Sequence, residues 1–268
     1  MDGRRQQLVD RAKAAGPKAR ELGRAVSQLD VAWARCAPAR ALRETMQSFL
    51  LGPVIDFYVR RRSRGREHFA RLKPPVILVA NHGSHLDTPV ILRALPRTWR
   101  QRTAVAAAAD YFYRNRLVAA AVSLLFNTVP VSRSGGGLVQ GAADHIHRLL
   151  EQRWNLLLYP EGTRSRNGEV GKLRSGAAVL AKEHGIAIVP MHVSGTRAAM
   201  PPGRTWPRRA GALRLRRHPV EVRFGRPIPP DADRHAVVAE LEAFFAEQAA
   251  ADGERATPMP PTTASCSR

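Results

Sequence analysis

Cysteine is nearly missing from this 268-residue chain. The two present, Cys36 and Cys266, lie far apart, so no disulfide framework is implied and a reducing compartment fits. Acidic residues are also scarce: 22 Asp plus Glu stand against 43 Lys plus Arg, a formal net charge of +21. Such an excess predicts attraction to polyanions, whether nucleic acid, an anionic membrane or phosphorylated substrates. No uncharged apolar run reaches the ~18–20 residues that a spanning helix needs. The nearest, 46–59 and 117–131, are interrupted by Asp56 and by Ser, Asn and Pro. The first residues, Met1-Asp2-Gly3-Arg4-Arg5, lead into charged sequence without the apolar region of a signal peptide. The chain is therefore expected to be able to lie on a membrane but not to cross it. A Gly-x-Ser-x-Gly elbow is absent, and so are helix-turn-helix, aromatic ribonucleoprotein and zinc signatures.

The length suits one globular domain with appendages. Residues 1–55 read as an N-terminal helical segment. It mixes arginine with a concentrated apolar end at 49–55, the composition of an interfacial helix or of one packed on the core. From residue 56 strand-like and helix-like pieces alternate. Strands are predicted at 57–61, 76–80, 102–108, 128–131, 154–159, 186–193 and 219–225. Helices are predicted at 84–94, 116–126, 138–152, 175–184 and 231–248. This pattern predicts an α/β domain over 56–248, with a mostly parallel central sheet flanked by helices. Residues 249–268, rich in Ala, Pro, Thr and Ser, read as a disordered tail.

The chain is organised around residues 79–89. An apolar run, Val76-Ile77-Leu78-Val79-Ala80, gives way abruptly to Asn81-His82-Gly83-Ser84-His85-Leu86-Asp87. Ser84 and Asp87, three apart ahead of Val90-Ile91-Leu92, have the form of a capping box. That accounts for Ser84 and leaves Asn81 and His82 unexplained. With His82 on the loop and Asp87 in the first helical turn, the carboxylate can reach back to one imidazole nitrogen. The other nitrogen is then left to accept a proton. A His–Asp pair without its own nucleophile suggests a base acting on a hydroxyl brought by the substrate. Metal ligation by His82, His85 and Asp87 is a second reading, although the spacing matches no established ligand pattern.

Chemistry in α/β sheets gathers at the carboxyl ends of strands. Two further polar clusters sit in such positions, 130–133 and 160–165. Arg133 and Arg164 can each clamp a phosphate, since a guanidinium fork matches its oxygens. Gly162 allows backbone N–H groups to approach an anion.

Together these clusters resemble the glycerophospholipid acyltransferase family over about residues 60–228. The family's first block, His, four residues, Asp, is seen within Asn81 to Asp87. A second block, ending in arginine, is seen as Val129-Pro130-Val131-Ser132-Arg133. The family's Phe-Pro-Glu-Gly-Thr-Arg-Ser is seen as Tyr159-Pro160-Glu161-Gly162-Thr163-Arg164-Ser165, followed by Gly171 and Gly176. An apolar strand ending in Val189-Pro190 completes the set. The resemblance implies the family's α/β fold and O-acyl transfer from acyl-coenzyme A or acyl carrier protein to lysophosphatidic acid, giving phosphatidic acid. It implies His82 as general base, Asp87 as its orienting group, and Arg133, Glu161, Gly162, Thr163 and Arg164 as acceptor-binding residues. No metal or bound cofactor is implied. An anionic membrane surface is the expected partner, at the cytoplasmic face, and no nucleic acid is expected. Pro130 and Ser132 depart from the commoner residues of the second block, which leaves other lysophospholipids or glycerol phosphate open as acceptors. A basic nucleic-acid-binding protein and a metal-dependent hydrolase are readings of a different class. The first explains the charge but none of the polar clusters.

Overall fold

The computed structural model describes residues 32–108, 116–131, 140–165, 167–211, 213 and 215–256. Seven strands form one sheet in the order β1-β7-β6-β2-β5-β3-β4. They are β1 (Val59–Arg64), β2 (Ile77–Ala80), β3 (Thr103–Ala108), β4 (Thr128–Val131), β5 (Asn155–Leu158), β6 (Ile188–Ser194) and β7 (His218–Phe224). The block β6-β2-β5-β3-β4 is parallel throughout. β7 pairs with β6 antiparallel and with β1 parallel. The expected mostly parallel sheet is therefore present, with two reversed strands at one edge.

β2 is buried on both faces, which is why it reads as an unbroken apolar run rather than an alternation. Leu78 and Ala80 face a core shared with Val90, Ile91 and Leu95. Ile77 and Val79 face the opposite core, with Leu156, Ile188 and helices at Gln140–Glu151, Gly176–His184 and Arg234–Ala256.

Helix α1 (Ala37–Thr45) runs through a π-helical turn at Met46–Leu51 into α2 (Gly52–Tyr58). Pro53 does not break this run because it falls in the first turn of α2, where a missing N–H is tolerated. The inward face of the run is polar where it meets the helix Arg116–Phe126. Arg43 Nε donates to the Leu124 carbonyl at 2.6 Å and Gln47 Nε2 to that of Leu125 at 2.7 Å. The last carbonyls of a helix lack partners within it, so these two side chains act as its cap. Burial, with Arg35 and Arg40 nearby, lowers the Arg43 pKa to about 10, so the guanidinium stays charged at neutral pH. The outward face carries Leu42, Phe49, Leu50 and Phe57, all exposed.

Several boundaries differ from the sequence expectation, three of them informatively. Phe57 and Tyr58, expected in a strand, end α2, and β1 starts at Val59. Helix α3 (Asp87–Ala94) starts three residues later than expected. Ser84 does not cap it: its Oγ accepts the Leu86 N–H at 3.1 Å and donates to the Met200 carbonyl at 2.7 Å. The last helix continues to Ala256, past the point where composition placed a tail, because Leu241 and Phe245 anchor it on the sheet and Asp252 holds Arg223. Residues 1–31 and 257–268 lie outside the described residues.

Candidate active site

Adjacent strands β6, β2 and β5 release three loops at one end of the sheet. Asn81 extends the β2–β6 pairing with its side chain: Nδ2 donates to the Val193 carbonyl at 3.0 Å, and Oδ1 accepts the Val193 N–H at 2.7 Å. The backbone is thereby held in register up to the residue before His82.

Asp87, 1% exposed, receives four donors. Its Oδ2 accepts His82 Nδ1 at 3.0 Å and the N–H groups of Gly83 and Ser84, each at 2.8 Å. Its Oδ1 accepts the Thr196 hydroxyl at 2.6 Å. A carboxylate needs such donors once it leaves water. Bonded this way, it fixes the proton of His82 on Nδ1 and leaves Nε2 as the nitrogen able to accept one. The His82 side chain remains 17% exposed.

The loop from Tyr159 to Ser165 lies directly against His82. The His82 N–H donates to Glu161 Oε1 at 2.9 Å, and the Ser165 N–H donates to the His82 carbonyl at 2.8 Å. The other oxygen of Glu161 accepts the Gly171 N–H at 3.0 Å. Glu161 thus bridges three segments of backbone, a role not visible in the motif itself. Gly162 sits at φ +73°, which favours glycine, and an added Cβ would come within 3.2 Å of the Arg174 guanidinium. Thr163 is exposed and Arg164 half-buried. Burial, then the charge of Arg164, lowers the His85 pKa to about 4, so His85 is neutral at physiological pH. Arg197 donates to the Ser165 carbonyl at 3.2 Å. Arg164, Arg174 and Arg197 therefore border one loop, and the latter two were not singled out from sequence.

Of the sequence-predicted residues, His82, Asp87, Glu161, Gly162, Thr163 and Arg164 come together at the ends of β2 and β5. Arg133 lies outside the described residues. Among the described residues no group of three or more His, Cys, Asp and Glu side chains could hold a metal ion. None of their helices is long and apolar enough to cross a membrane.

An acyltransferase family model matches residues 60–194, half of the chain, including the loops that follow β2 and β5, and the protein belongs to that family. Its similarity to curated members is more distant. It is 28% identical over 182 residues to a 1-acyl-sn-glycerol-3-phosphate acyltransferase of Limnanthes douglasii, covering 67% of this chain and 59% of that one. It is 28% identical over 141 residues to a chloroplastic 1-acyl-sn-glycerol-3-phosphate acyltransferase of Arabidopsis thaliana, covering 52% and 37%. The chain thus spans about half the length of the curated relatives it matches. The crystal structure of the lysophosphatidic acid acyltransferase PlsC from Thermotoga maritima superposes with a TM-score of 0.59. That match covers 85% of this chain and 86% of the other at 20% identity, and shows a common fold.

Proposed function

We propose that the protein transfers an acyl chain from a thioester donor, acyl-coenzyme A or acyl carrier protein, to the free hydroxyl of lysophosphatidic acid. The product is phosphatidic acid. The observation that carries this reading is the 3.0 Å bond from His82 Nδ1 to the buried Asp87 carboxylate, at a strand end and with no protein nucleophile in the motif. His82 Nε2 takes the proton of the acceptor hydroxyl as its oxygen bonds to the thioester carbonyl carbon. The tetrahedral adduct then expels the thiolate, which takes the proton back from the imidazolium. Ester, thiol and neutral imidazole result, with no acyl-enzyme and no metal or bound cofactor. Arg133 and Arg164 hold the acceptor phosphate in this reading, with the backbone at Gly162 and Thr163 alongside. Glu161 holds the loop through its backbone bonds.

The reaction joins lipids, and we place the protein on an anionic, cytoplasm-facing membrane surface without a spanning segment. Supporting this are the exposed Leu42, Phe49, Leu50 and Phe57 on the run from α1 to α2, and the exposed Trp206, which donates to the Tyr58 hydroxyl at 2.8 Å. Arg209 lies 4.8 Å over the Phe57 ring, which sets a cation beside the apolar stripe.

The test is thiol release from palmitoyl-coenzyme A and from palmitoyl-carrier protein, with and without lysophosphatidic acid, beside a folded His82→Ala variant. Acceptor-dependent release that yields phosphatidic acid and is lost in the variant is expected. Release without acceptor would indicate a thioesterase. Release only with glycerol phosphate or another lysophospholipid would reassign the acceptor.

A further inference from the structure

The third motif of this chain begins with Tyr159, where the family it resembles has phenylalanine, and the additional oxygen is used. The Tyr159 ring stacks on the His82 imidazole, with centroids 4.0 Å apart and planes 20° apart. Its hydroxyl lies 2.7 Å from Thr88 Oγ1. Thr88 follows Asp87, so the first turn of α3 holds the imidazole twice: by its edge through the carboxylate, and by its face through the tyrosine.

The two holds do different things. A single bond at Nδ1 leaves the ring able to tilt about the line joining it to Oδ2. A flat partner against the face removes that motion. The same face is also the electron-rich side of an aromatic ring, which attracts a cation. Burial, aided by the Asp87 charge, pushes the Tyr159 phenol up, so it keeps its proton and can donate to Thr88. The other charged or titratable groups around the imidazole are Asp87, His85, Arg164, and Glu161 below its backbone.

We propose that Tyr159 is a positioning residue for acyl transfer. Its ring fixes the plane of His82 and favours the imidazolium formed during the reaction, while its hydroxyl bond to Thr88 fixes the ring. This rests on His82 acting as the general base.

The experiment compares Tyr159→Phe, Tyr159→Leu, Thr88→Val and the Tyr159→Phe/Thr88→Val double variant. Kinetics with palmitoyl-coenzyme A and lysophosphatidic acid are run beside NMR spectra of the histidine ring protons in the free protein. Tyr159→Phe and Thr88→Val should each lower kcat about 2–10-fold with KM unchanged. The double variant should be no worse than either, because both substitutions remove one bond. Multiplying losses would overturn the hydroxyl link.

Tyr159→Leu should lower kcat about 10–100-fold. It should also abolish the upfield ring-current shift that the stacked phenol ring imposes on the His82 ring protons, whereas Tyr159→Phe should keep it. A folded Leu variant with the parent chemical shifts overturns the stack. If the Leu variant does not fold, Tyr159→Met takes its place. The NMR measurement needs no substrate, so a ring-current shift lost in the Leu variant of a protein whose parent shows no transferase activity sinks the proposed reaction and leaves the stack standing.

Discussion

The Thr196 hydroxyl donates to Asp87 Oδ1 at 2.6 Å, tying the residue just past β6 to the carboxylate that faces His82. The two are 109 positions apart in the chain. Thr196→Val keeps the shape and leaves a buried carboxylate oxygen without its donor. Stability should fall by about 1–3 kcal/mol, and kcat with it, whereas Thr196→Ser should restore both. Urea unfolding of the two variants decides it; a Val variant with the parent midpoint shows the bond to be unimportant.

Glu161 accepts two backbone N–H groups, from His82 and Gly171, on its two oxygens. Glutamine can serve only one of them and turns an amide N–H₂ towards the other donor. Glu161→Gln should therefore destabilise the protein by about 1–3 kcal/mol and lower kcat more than it raises KM for the acceptor. A rise confined to KM would instead mark Glu161 as a direct acceptor contact.

Acid should weaken the fold through two histidines, the half-buried His85 and the buried His192. Burial and Arg164 lower the His85 pKa to about 4, and burial, with Arg223 adding, lowers that of His192 although Asp252 opposes it. Between about pH 6.5, where an unfolded histidine titrates, and pH 4, the unfolded chain binds protons that the folded chain refuses. Stability is thus fully present above that window and lost as pH falls through it. Melting temperatures across pH 4–7 should show this slope, and His85→Gln should make it shallower. An unchanged slope would remove His85 from the account.

Phe49, 80% exposed, and its neighbour Leu50 make no large contribution to the core. Phe49→Ser with Leu50→Ser should leave the melting temperature within a few degrees of the parent. Binding to vesicles of phosphatidylglycerol and phosphatidylcholine should weaken by tenfold or more, from about 1.5–3 kcal/mol for each apolar side chain no longer buried in lipid. Equal sedimentation with vesicles would move the lipid contact elsewhere.

Much of this arrangement could be read from residues close in the chain. The unbroken apolar run of β2 and the three leucines of β5 reflect burial on both faces. The pair His82 and Asp87 is short-range, so spacing alone suggested its geometry. What escaped is long-range or depends on context. Nothing near Thr196 announces that its hydroxyl serves Asp87. Glu161 reads as a substrate ligand, and nothing in its motif announces that it also accepts the N–H groups of His82 and Gly171. Phe57 and Tyr58 read as strand because β-propensity is local, while their helix is sustained by Ile55 packing inward and by a run that continues from Ala37. Ser84 matched a capping spacing, but Met200 claims its hydroxyl.

Asp87 takes four donors from the protein itself, and the carboxylate is almost fully removed from solvent. It therefore has little hydration left to shed when the proposed acyl donor enters the site. The dehydration of this anion is completed during folding, once, rather than at every turnover. On the membrane surface proposed above, where the local dielectric falls, a site built so would keep the same proton on the same imidazole nitrogen.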